Sequence, residues 1–418
     1  MSSLLLRGGR VIDPANSRDE TADLHVDDGL IVASGGAEVI DCGGLWVCPG
    51  LIDPHVHFRE PGQTHKEDID TGSMSAAAGG YASVACMPNT SPSIDNPELV
   101  RQLMERAKNV RLYVVAAMTE GMAGERLTDY AALKEAGAIA VSDDAYPLQS
   151  ARMMREGMRL AARVGLPVVT HCEDKSLTVP GAIHEGEVAE RLGVPGMPSV
   201  AEEIHIARNA LLALETGAHL HVQHLSTALG IDLIRYFRQL GAKITCEVAP
   251  HHLLLTDKAV LAEGTMAKMN PPLRTQKDAD ALSQALIQGE IDHIATDHAP
   301  HTAEEKTQPL GQAPFGIVGL ETALPLMLEW NRRHGDPLSP MRLIELMSTA
   351  PARVFGLNAG SLSPGQPADI VVIDPDRERM VKPQDLKSKS KNTPFGGWIL
   401  RGWPVMTILG GRIVHDAR

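Results

Sequence analysis

Between residues 51 and 350, short apolar runs that end in polar residues alternate with longer segments of helical period, about eight times in succession. Strands alternating with helices bury both faces only in a parallel sheet wrapped by helices, and roughly eight such units close the sheet into a barrel. The candidate strands are the run 45–52 leading into His55, and the runs 81–89, 111–118, 138–144, 166–174, 219–226, 243–251 and 291–301. Between them, Asn96-Pro97-Glu98 reads as a helix start, with an Asn cap and Pro in the first turn. The segment 199–216 reads as a further helix, with Ile204, Ala207, Leu211 and Leu214 on one stripe.

The two ends of the chain differ. Both are strand-like with Gly/Pro turns and little helical period, as in Leu4-Leu5-Leu6-Arg7-Gly8-Gly9 and Asp369-Ile370-Val371-Val372-Ile373-Asp374. The expected architecture is α/β: a (β/α)8 TIM-type catalytic barrel at 51–357 and a small β-sandwich domain built from both termini, 1–50 and 358–418. The run 405–414, with Gly410-Gly411 inside it, resembles 4–12, and the two are expected to pair beside the barrel.

A chain of 418 residues accommodates one barrel of roughly 250 residues and a smaller module. Aromatic residues are 3% of it against 43% hydrophobic, so its core must be built from Ala, Val, Leu, Ile and Met. With 39 basic and 52 acidic side chains the net charge is −13, and there is no Lys/Arg-rich run to neutralise phosphates, which argues against nucleic acid. No apolar stretch approaches the roughly 20 residues needed to span a bilayer, and the start is too short for a secretory apolar region, so a cytoplasmic location is expected. Five scattered cysteines without C-x-x-C argue against a disulfide framework and a thiolate metal site.

In a β/α barrel the chemistry sits at the C-terminal ends of the strands. Metal-competent side chains occur there repeatedly: His55 and His57, Asp143-Asp144, His171, His224 and Asp297. His55 and His57, two apart on an extended segment, project to the same side. Four histidines and two carboxylates have the ligand chemistry of a mono- or binuclear zinc site with a position open for water. A strand-end aspartate more often caps the following helix, so one of the Asp143-Asp144 pair is read as ligand and the other as cap or support. His251 and His252 are read as structural or supporting, and His298 as pointing away from Asp297. His65, His184, His205, His219, His221 and His293 are read as surface or packing residues, and Cys172 as a packed thiol.

The chain resembles the cyclic amidohydrolases, and within them the class I dihydroorotases, over nearly its whole length. The motifs that carry the resemblance are Pro49-Gly50-Leu51-Ile52-Asp53-Pro54-His55-Val56-His57-Phe58-Arg59-Glu60-Pro61-Gly62, Met87-Pro88-Asn89-Thr90, Ser142-Asp143-Asp144, Thr170-His171-Cys172-Glu173-Asp174 and Gln223-His224-Leu225-Ser226-Thr227. Beyond these come Lys268-Met269-Asn270-Pro271-Pro272-Leu273-Arg274, Thr296-Asp297-His298-Ala299-Pro300-His301 and Pro314-Phe315-Gly316.

The resemblance implies that His55, His57, Asp144, His171, His224 and Asp297 hold one or two Zn2+ ions, with Asp144, or alternatively Asp143, as the bridge. It implies reversible cyclisation of N-carbamoyl-L-aspartate to L-dihydroorotate and water, with Asp297 as catalytic proton shuttle. Arg59, Asn89 and His301 are then expected on the substrate carboxylate, and Asn270 with the Phe315-Gly316 backbone on the ring amide. Hydantoinases and dihydropyrimidinases usually bridge their metals with a carboxylated lysine, and no lysine lies between Ala138 and Met154. Ala145 departs from the glycine the family often has there. The segment 301–314 reads as a mobile loop over the mouth. The competing readings are an allantoinase or dihydropyrimidinase, and a non-catalytic dihydroorotase-like partner of aspartate transcarbamoylase. The expected partner is the small-molecule substrate, with a homodimer and a complex with aspartate transcarbamoylase left open, and no nucleic acid or membrane.

Overall fold

The computed structural model of the chain describes residues 3–35 and 38–418. Eight strands of the middle segment pair in parallel and in chain order: β1 (Leu51–Val56), β2 (Tyr81–Cys86), β3 (Arg111–Ala117), β4 (Ala138–Ser142), β5 (Val168–Thr170), β6 (Leu220–Val222), β7 (Ile244–Val248) and β8 (His293–Ile294). The ring closes where the His57 N–H donates to the His298 carbonyl at 2.9 Å, beside a parallel bridge from Val56 to His298. A helix follows each strand: α1 (Ile69–Ala78), α2 (Pro97–Arg106), α3 (Tyr130–Glu135), α4 (Ala151–Val164), α5 (Val200–Thr216), α6 (Ala228–Gln239), α7 (Gln276–Ile287) and α8 (Ala323–Arg333). The molecule is a TIM-type barrel. No helix among the described residues is long and apolar enough to cross a membrane.

Strand period explains the packing. Val84, Val114, Val141 and Val168 belong to the large core shared with the helices, while their neighbours Ala85, Val115, Ala140 and Val169 cluster with Phe355 on the other face. Local signals set where helices begin. Asn96 caps α2 through Leu99 N with Pro97 in the first turn, Ser150 caps α4 through Met153 N, and Thr227 caps α6 through Gly230 N. Thr227 stands three residues after His224, so strand end, site residue and helix start are packed into one short turn.

The terminal segments form a second, mostly antiparallel sheet of eight strands over its own core of Leu4, Leu6, Val26, Val47, Ile370 and Ile408. The expected pairing of 4–12 with 405–414 does not occur. Leu4–Asp13 pairs with Arg18–Asp27, Glu38–Asp41 and Trp46–Pro49, and the strand Trp46–Pro49 links it to Ile370–Met380. Residues 405–414 are instead the two arms of a hairpin, Ile399–Leu409 and Arg412–Asp416. Gly410 and Gly411 turn it at φ +54° and +75°, a conformation open to glycine at both central positions.

The apolar stripe of α5 also differs from a core-facing stripe. The helix buries Ala201, Ile206, Ala210 and Ala213, while Ile204 is 46% exposed and Leu211 57%. A helical period identifies a face without saying which side the protein covers.

Candidate active site

His55 and His57 stand at the end of β1 with both Nε2 atoms turned to the barrel mouth. His55 Nε2 lies 3.6 Å from Asp144 Oδ1 and 3.4 Å from Asp297 Oδ1, and His57 Nε2 lies 3.8 Å from Asp144 Oδ2 and 3.1 Å from Asp297 Oδ1. The other ring nitrogens are held from behind. His55 Nδ1 donates to Glu247 Oε1 at 2.6 Å and His57 Nδ1 to Asn89 Oδ1 at 2.9 Å, which leaves each Nε2 with its lone pair facing the carboxylates. Imidazole nitrogens and carboxylate oxygens spaced in this way surround a point that a divalent ion about 2.0–2.2 Å from each would occupy.

His171 and His224 form the neighbouring pair. His171 Nδ1 faces His224 Nε2 at 2.9 Å, and the His224 ring centre is 5.2 Å from that of His55. His171 Nε2 donates to Glu173 Oε2 at 2.9 Å. Burial, with His171 and His55 beside it, holds the His224 imidazole well below its ordinary pKa, so it is neutral and able to ligate. Burial opposes ionisation of Asp144, but His57, His55 and His171 outweigh it and push that carboxyl well below the usual range.

Asp143 turns the other way. It accepts from Met118 N at 2.8 Å, Thr119 N at 3.0 Å and Thr119 Oγ1 at 2.5 Å, so it ties β4 to the end of β3. Burial raises its pKa to about 6. Of the two aspartates, Asp144 faces the histidines and Asp143 supports the loop; the helix cap belongs to Ser150. Arg59, Asp144, His224 and Asp297 have φ of +58°, +39°, +30° and +50°, four of the eight non-glycine residues with positive φ among the described residues. Each costs on the order of 1 kcal/mol of backbone strain, stored where strand ends must aim a side chain into the mouth.

A cavity of about 630 Å³ opens over this centre. Its wall includes Arg59, Asn89, Asn270, His301, Phe315 and Gly316. Arg59 Nε donates to the Pro300 carbonyl at 3.2 Å, and Nη2 lies 3.2 Å from His301 Nε2. Burial, with Arg59 and Lys306 nearby, keeps His301 neutral, and its Nε2–H donates to the Phe315 carbonyl at 2.8 Å. Asn89 also serves the centre, since its Nδ2 donates to Asp144 Oδ2 at 2.6 Å. The Gly316 N–H is already spent on the Lys268 carbonyl at 3.0 Å, and its own carbonyl accepts from Asn392. That backbone amide therefore shapes the wall and does not offer a free donor. The loop 301–316 is stapled by the buried Lys306, whose Nζ reaches the carbonyls of Thr265, Lys268 and Pro314 at 3.0, 3.2 and 2.9 Å.

Two carboxylates stand in this site without having been assigned from sequence. Glu173 accepts from His171, from Asn270 Nδ2 at 3.0 Å and from Lys175 Nζ at 2.5 Å. Its place two residues after His171 was the available signal. Glu247, a lone acid in the apolar strand β7, holds both His55 and, at 3.1 Å, His221 Nε2. His221, Glu247 and His293 form a second group with ligand chemistry inside the barrel. The two imidazoles stack 9° from parallel at 4.9 Å, so their in-plane lone pairs run side by side and do not converge on one ion. His298 points away from the centre, with Nδ1 accepting from Gly319 N, and His252 Nε2 donates to the Pro271 carbonyl. Cys172 is a buried thiol.

Residues 44–229 match the dihydro-orotase-like family and residues 314–415 the amidohydrolase family. The dihydroorotase of Pelotomaculum thermopropionicum is 47% identical over 426 residues, covering 99% of each chain. The chain belongs to the dihydroorotase family. The dihydroorotase of Bacillus caldolyticus is 50% identical over 382 residues, 91% of this chain and 89% of that one. Among solved structures, the L-hydantoinase (dihydropyrimidinase) of Arthrobacter aurescens superposes with a TM-score of 0.89 at 26% identity, covering 100% of this chain and 97% of that one. The D-hydantoinase (dihydropyrimidinase) of a Thermus species gives 0.85, also at 26%, over 99% and 96%. Dihydroorotase relatives are thus nearly twice as similar in sequence as these hydantoinases of the same fold. In this dihydroorotase-family site the donor set, imidazole nitrogens backed by carboxylates and facing further carboxylates, fits a divalent metal.

Proposed function

We propose that the chain is a dihydroorotase, catalysing the reversible closure of N-carbamoyl-L-aspartate to L-dihydroorotate and water in pyrimidine synthesis. The observation that carries this reading is one cavity in which Arg59, a carboxylate-binding guanidinium, stands beside Asp297 and the facing histidines. His55, His57, Asp144, His171, His224 and Asp297 are the proposed ligands of zinc, with Asp144 as bridge if two ions bind. Zinc supplies Lewis-acid polarisation of the amide carbonyl and a lower pKa for water.

The remaining work falls to the chain's own side chains. Arg59 offers a planar fork of donors matched to the substrate α-carboxylate, with Asn89 and His301 beside it. Asn270 is the proposed partner of the ring amide. In the hydrolytic direction Asp297 accepts the proton of the attacking water and returns it to the departing ring nitrogen; in cyclisation it takes the proton from the ureido nitrogen and gives it to the leaving oxygen. Among the described residues no donor reaches Asp297 Oδ2, which leaves that oxygen available for the transfer.

A hydantoinase-type ring opening is the second reading, and the likeness in fold to the Arthrobacter enzyme favours it. Against it stands Asp144, a carboxylate supplied directly where no lysine is available between Ala138 and Met154. A non-catalytic role fits poorly with a complete set of six ligand side chains. Purified protein, assayed for metal content and for turnover of carbamoyl aspartate and dihydroorotate, with hydantoin, dihydrouracil and allantoin as controls, decides among these. Turnover of a control in place of dihydroorotate would overturn the assignment. A cytoplasmic setting and assembly with aspartate transcarbamoylase belong to the same reading, and co-fractionation with that enzyme tests the latter.

A further inference from the structure

One side of the barrel interior is polar. Toward β2 to β5 the inward side chains are Ala85, Met87, Val115, Ala140 and Val169, the apolar filling a closed barrel calls for. Toward β6 to β8 stand His221, Thr245, Glu247 and His293, and the two histidines and the glutamate are almost wholly inaccessible. Burying such groups costs free energy that hydrogen bonds must offset, so their pattern carries information.

Two pairs of residues, each spaced i, i+2 on neighbouring strands, build a column. His219, just before β6, shares a face with His221; Thr245 shares a face of β7 with Glu247, and His221 is in register with Thr245. His219 Nε2 lies 2.8 Å from Thr245 Oγ1, which lies 2.8 Å from His221 Nδ1. His221 Nε2 is 3.1 Å from Glu247 Oε2, and Glu247 Oε1 is 2.6 Å from His55 Nδ1. The column runs unbroken from the N-terminal end of β6 to a histidine of the barrel mouth. His293 stacks on His221, but its Nε2, 3.9 Å from Glu247 Oε2, is out of hydrogen-bond reach. Phe355 covers both imidazoles, at 5.3 and 5.9 Å between ring centres.

One arrangement of protons satisfies the column. A carboxylate accepts and cannot donate, so His55 Nδ1–H and His221 Nε2–H both donate to Glu247. With its proton on Nε2, His221 keeps a lone pair on Nδ1, which takes the Thr245 hydroxyl hydrogen. The Thr245 oxygen then accepts the Nε2–H of His219. Burial, with His221 nearby, holds His219 at about 4, so that ring is neutral and has the single proton this pattern needs. The opposite direction would aim the His221 Nε2 lone pair at the carboxylate.

We propose that His221, with its proton placed by Thr245, is a positioning residue for the metal centre: it holds Glu247 so that Oε1 meets His55, and thereby keeps the His55 Nε2 lone pair turned to the mouth. Without a donor on Oε2, the carboxylate is held from His55 and the His224 N–H alone and is free to turn about its last bond. His221 is not itself among the proposed ligands and does not line the active-site cavity. This inference rests on His55 being a metal ligand, as proposed above.

The Zn2+ affinity of the purified full-length protein, measured by competition with a chelator of known affinity, tests it. His221→Phe keeps a flat ring against His293 and removes the donor; it is expected to bind Zn2+ about 5- to 10-fold more weakly, at or below the loss that follows removal of a direct partner of a ligand. His221→Gln offers an amide N–H near the position of Nε2 and is expected within about twofold of wild type. KM for carbamoyl aspartate at saturating Zn2+ should be unchanged in both. A folded His221→Phe with wild-type Zn2+ affinity would overturn the proposal, and so would a His221→Gln as weak as His221→Phe, since a merely structural role moves stability and is not restored by one donor. If His221→Phe does not fold, Thr245→Val removes the hydroxyl that orients His221 and Thr245→Ser keeps it; equal Zn2+ affinity in that pair would overturn the proposal. A wild type that binds no Zn2+ would instead refute the ligand assignment, and this inference with it.

Discussion

Glu247→Gln isolates what the buried carboxylate behind His55 contributes. The substitution keeps the volume of a side chain that is almost wholly inaccessible and removes its charge. Oε1 accepts from His55 Nδ1 at 2.6 Å and from the His224 N–H at 3.3 Å, and Oε2 from His221 Nε2 at 3.1 Å. Burial alone would raise this carboxyl, but His55 and His221 outweigh it and keep it ionised. In the variant the amide oxygen can face His55 while the NH2 meets His221, which can change tautomer because Thr245 Oγ1, 2.8 Å from its Nδ1, is able to accept as well as to donate.

The cost therefore concentrates on the His55 hydrogen bond, which passes from charged to neutral. Charged hydrogen bonds are worth about 1.5–3 kcal/mol and neutral ones about 0.5–1.5, so the loss is about 1–2 kcal/mol, or roughly 5- to 30-fold in metal affinity. Competition with a chelator of known affinity measures this directly. At saturating metal, kcat should recover to within a few-fold of wild type and KM for carbamoyl aspartate should stay unchanged, because Glu247 does not line the cavity. Metal affinity within twofold of wild type would refute the claim that the charge of Glu247 strengthens the His55 hydrogen bond and through it the metal site. A large rise in KM with normal metal affinity would refute the division of labour between core and wall.

The other predictions are more direct. Arg59→Met should raise KM for carbamoyl aspartate by at least ~30-fold, the worth of a charged hydrogen-bond pair of about 2 kcal/mol, with kcat less affected; steady-state kinetics decide it. Asp297→Asn should keep the fold by circular dichroism and lose about 10²- to 10⁴-fold in turnover, and near-normal turnover would remove it as the proton shuttle. Lys306→Met leaves three carbonyls without their shared donor, and urea unfolding should show a loss of at least ~2 kcal/mol with weaker substrate affinity. His205 is pushed from its ordinary 6.5 to about 3 by burial and by Arg208, so the unfolded chain binds its proton first. Stability present above pH 6.5 should then be lost as pH falls toward 3, by up to ~1.4 kcal/mol per unit, and His205→Gln should flatten that slope in urea titrations across pH.

What was legible in the sequence is what depends on chain order. The strand–helix alternation gives the barrel because parallel neighbours are consecutive, and the rule that strand ends face the mouth picks out His55, His57, Asp144, His171, His224 and Asp297. What was not legible depends on neighbours that chain order does not bring together. Glu247 supports His55 across 192 positions, and Asn89 reaches Asp144 across 55. The terminal runs resemble each other yet pair through Trp46–Pro49, because similarity between strands does not say which are adjacent. The stripe of α5 was correct as a pattern, but whether a face turns to the core or away from it is settled by packing.

Backbone strain is a further layer that residue types alone conceal, and it bears on why the site residues are where they are. At Arg59, Asp144, His224 and Asp297 a turn alone would be satisfied best by glycine, which adopts positive φ without penalty. Instead each position holds a side chain turned into one mouth, at a combined cost of several kcal/mol. Such strain persists only where the surroundings over-determine the conformation: Asn89 clasps Asp144, two imidazoles face Asp297, Pro300 holds Arg59 and Glu247 binds the N–H of His224. The four strained residues are thus the points where the barrel's stability is drawn upon to fix a donor set, and substituting glycine at any of them should relax the fold while removing the chemistry.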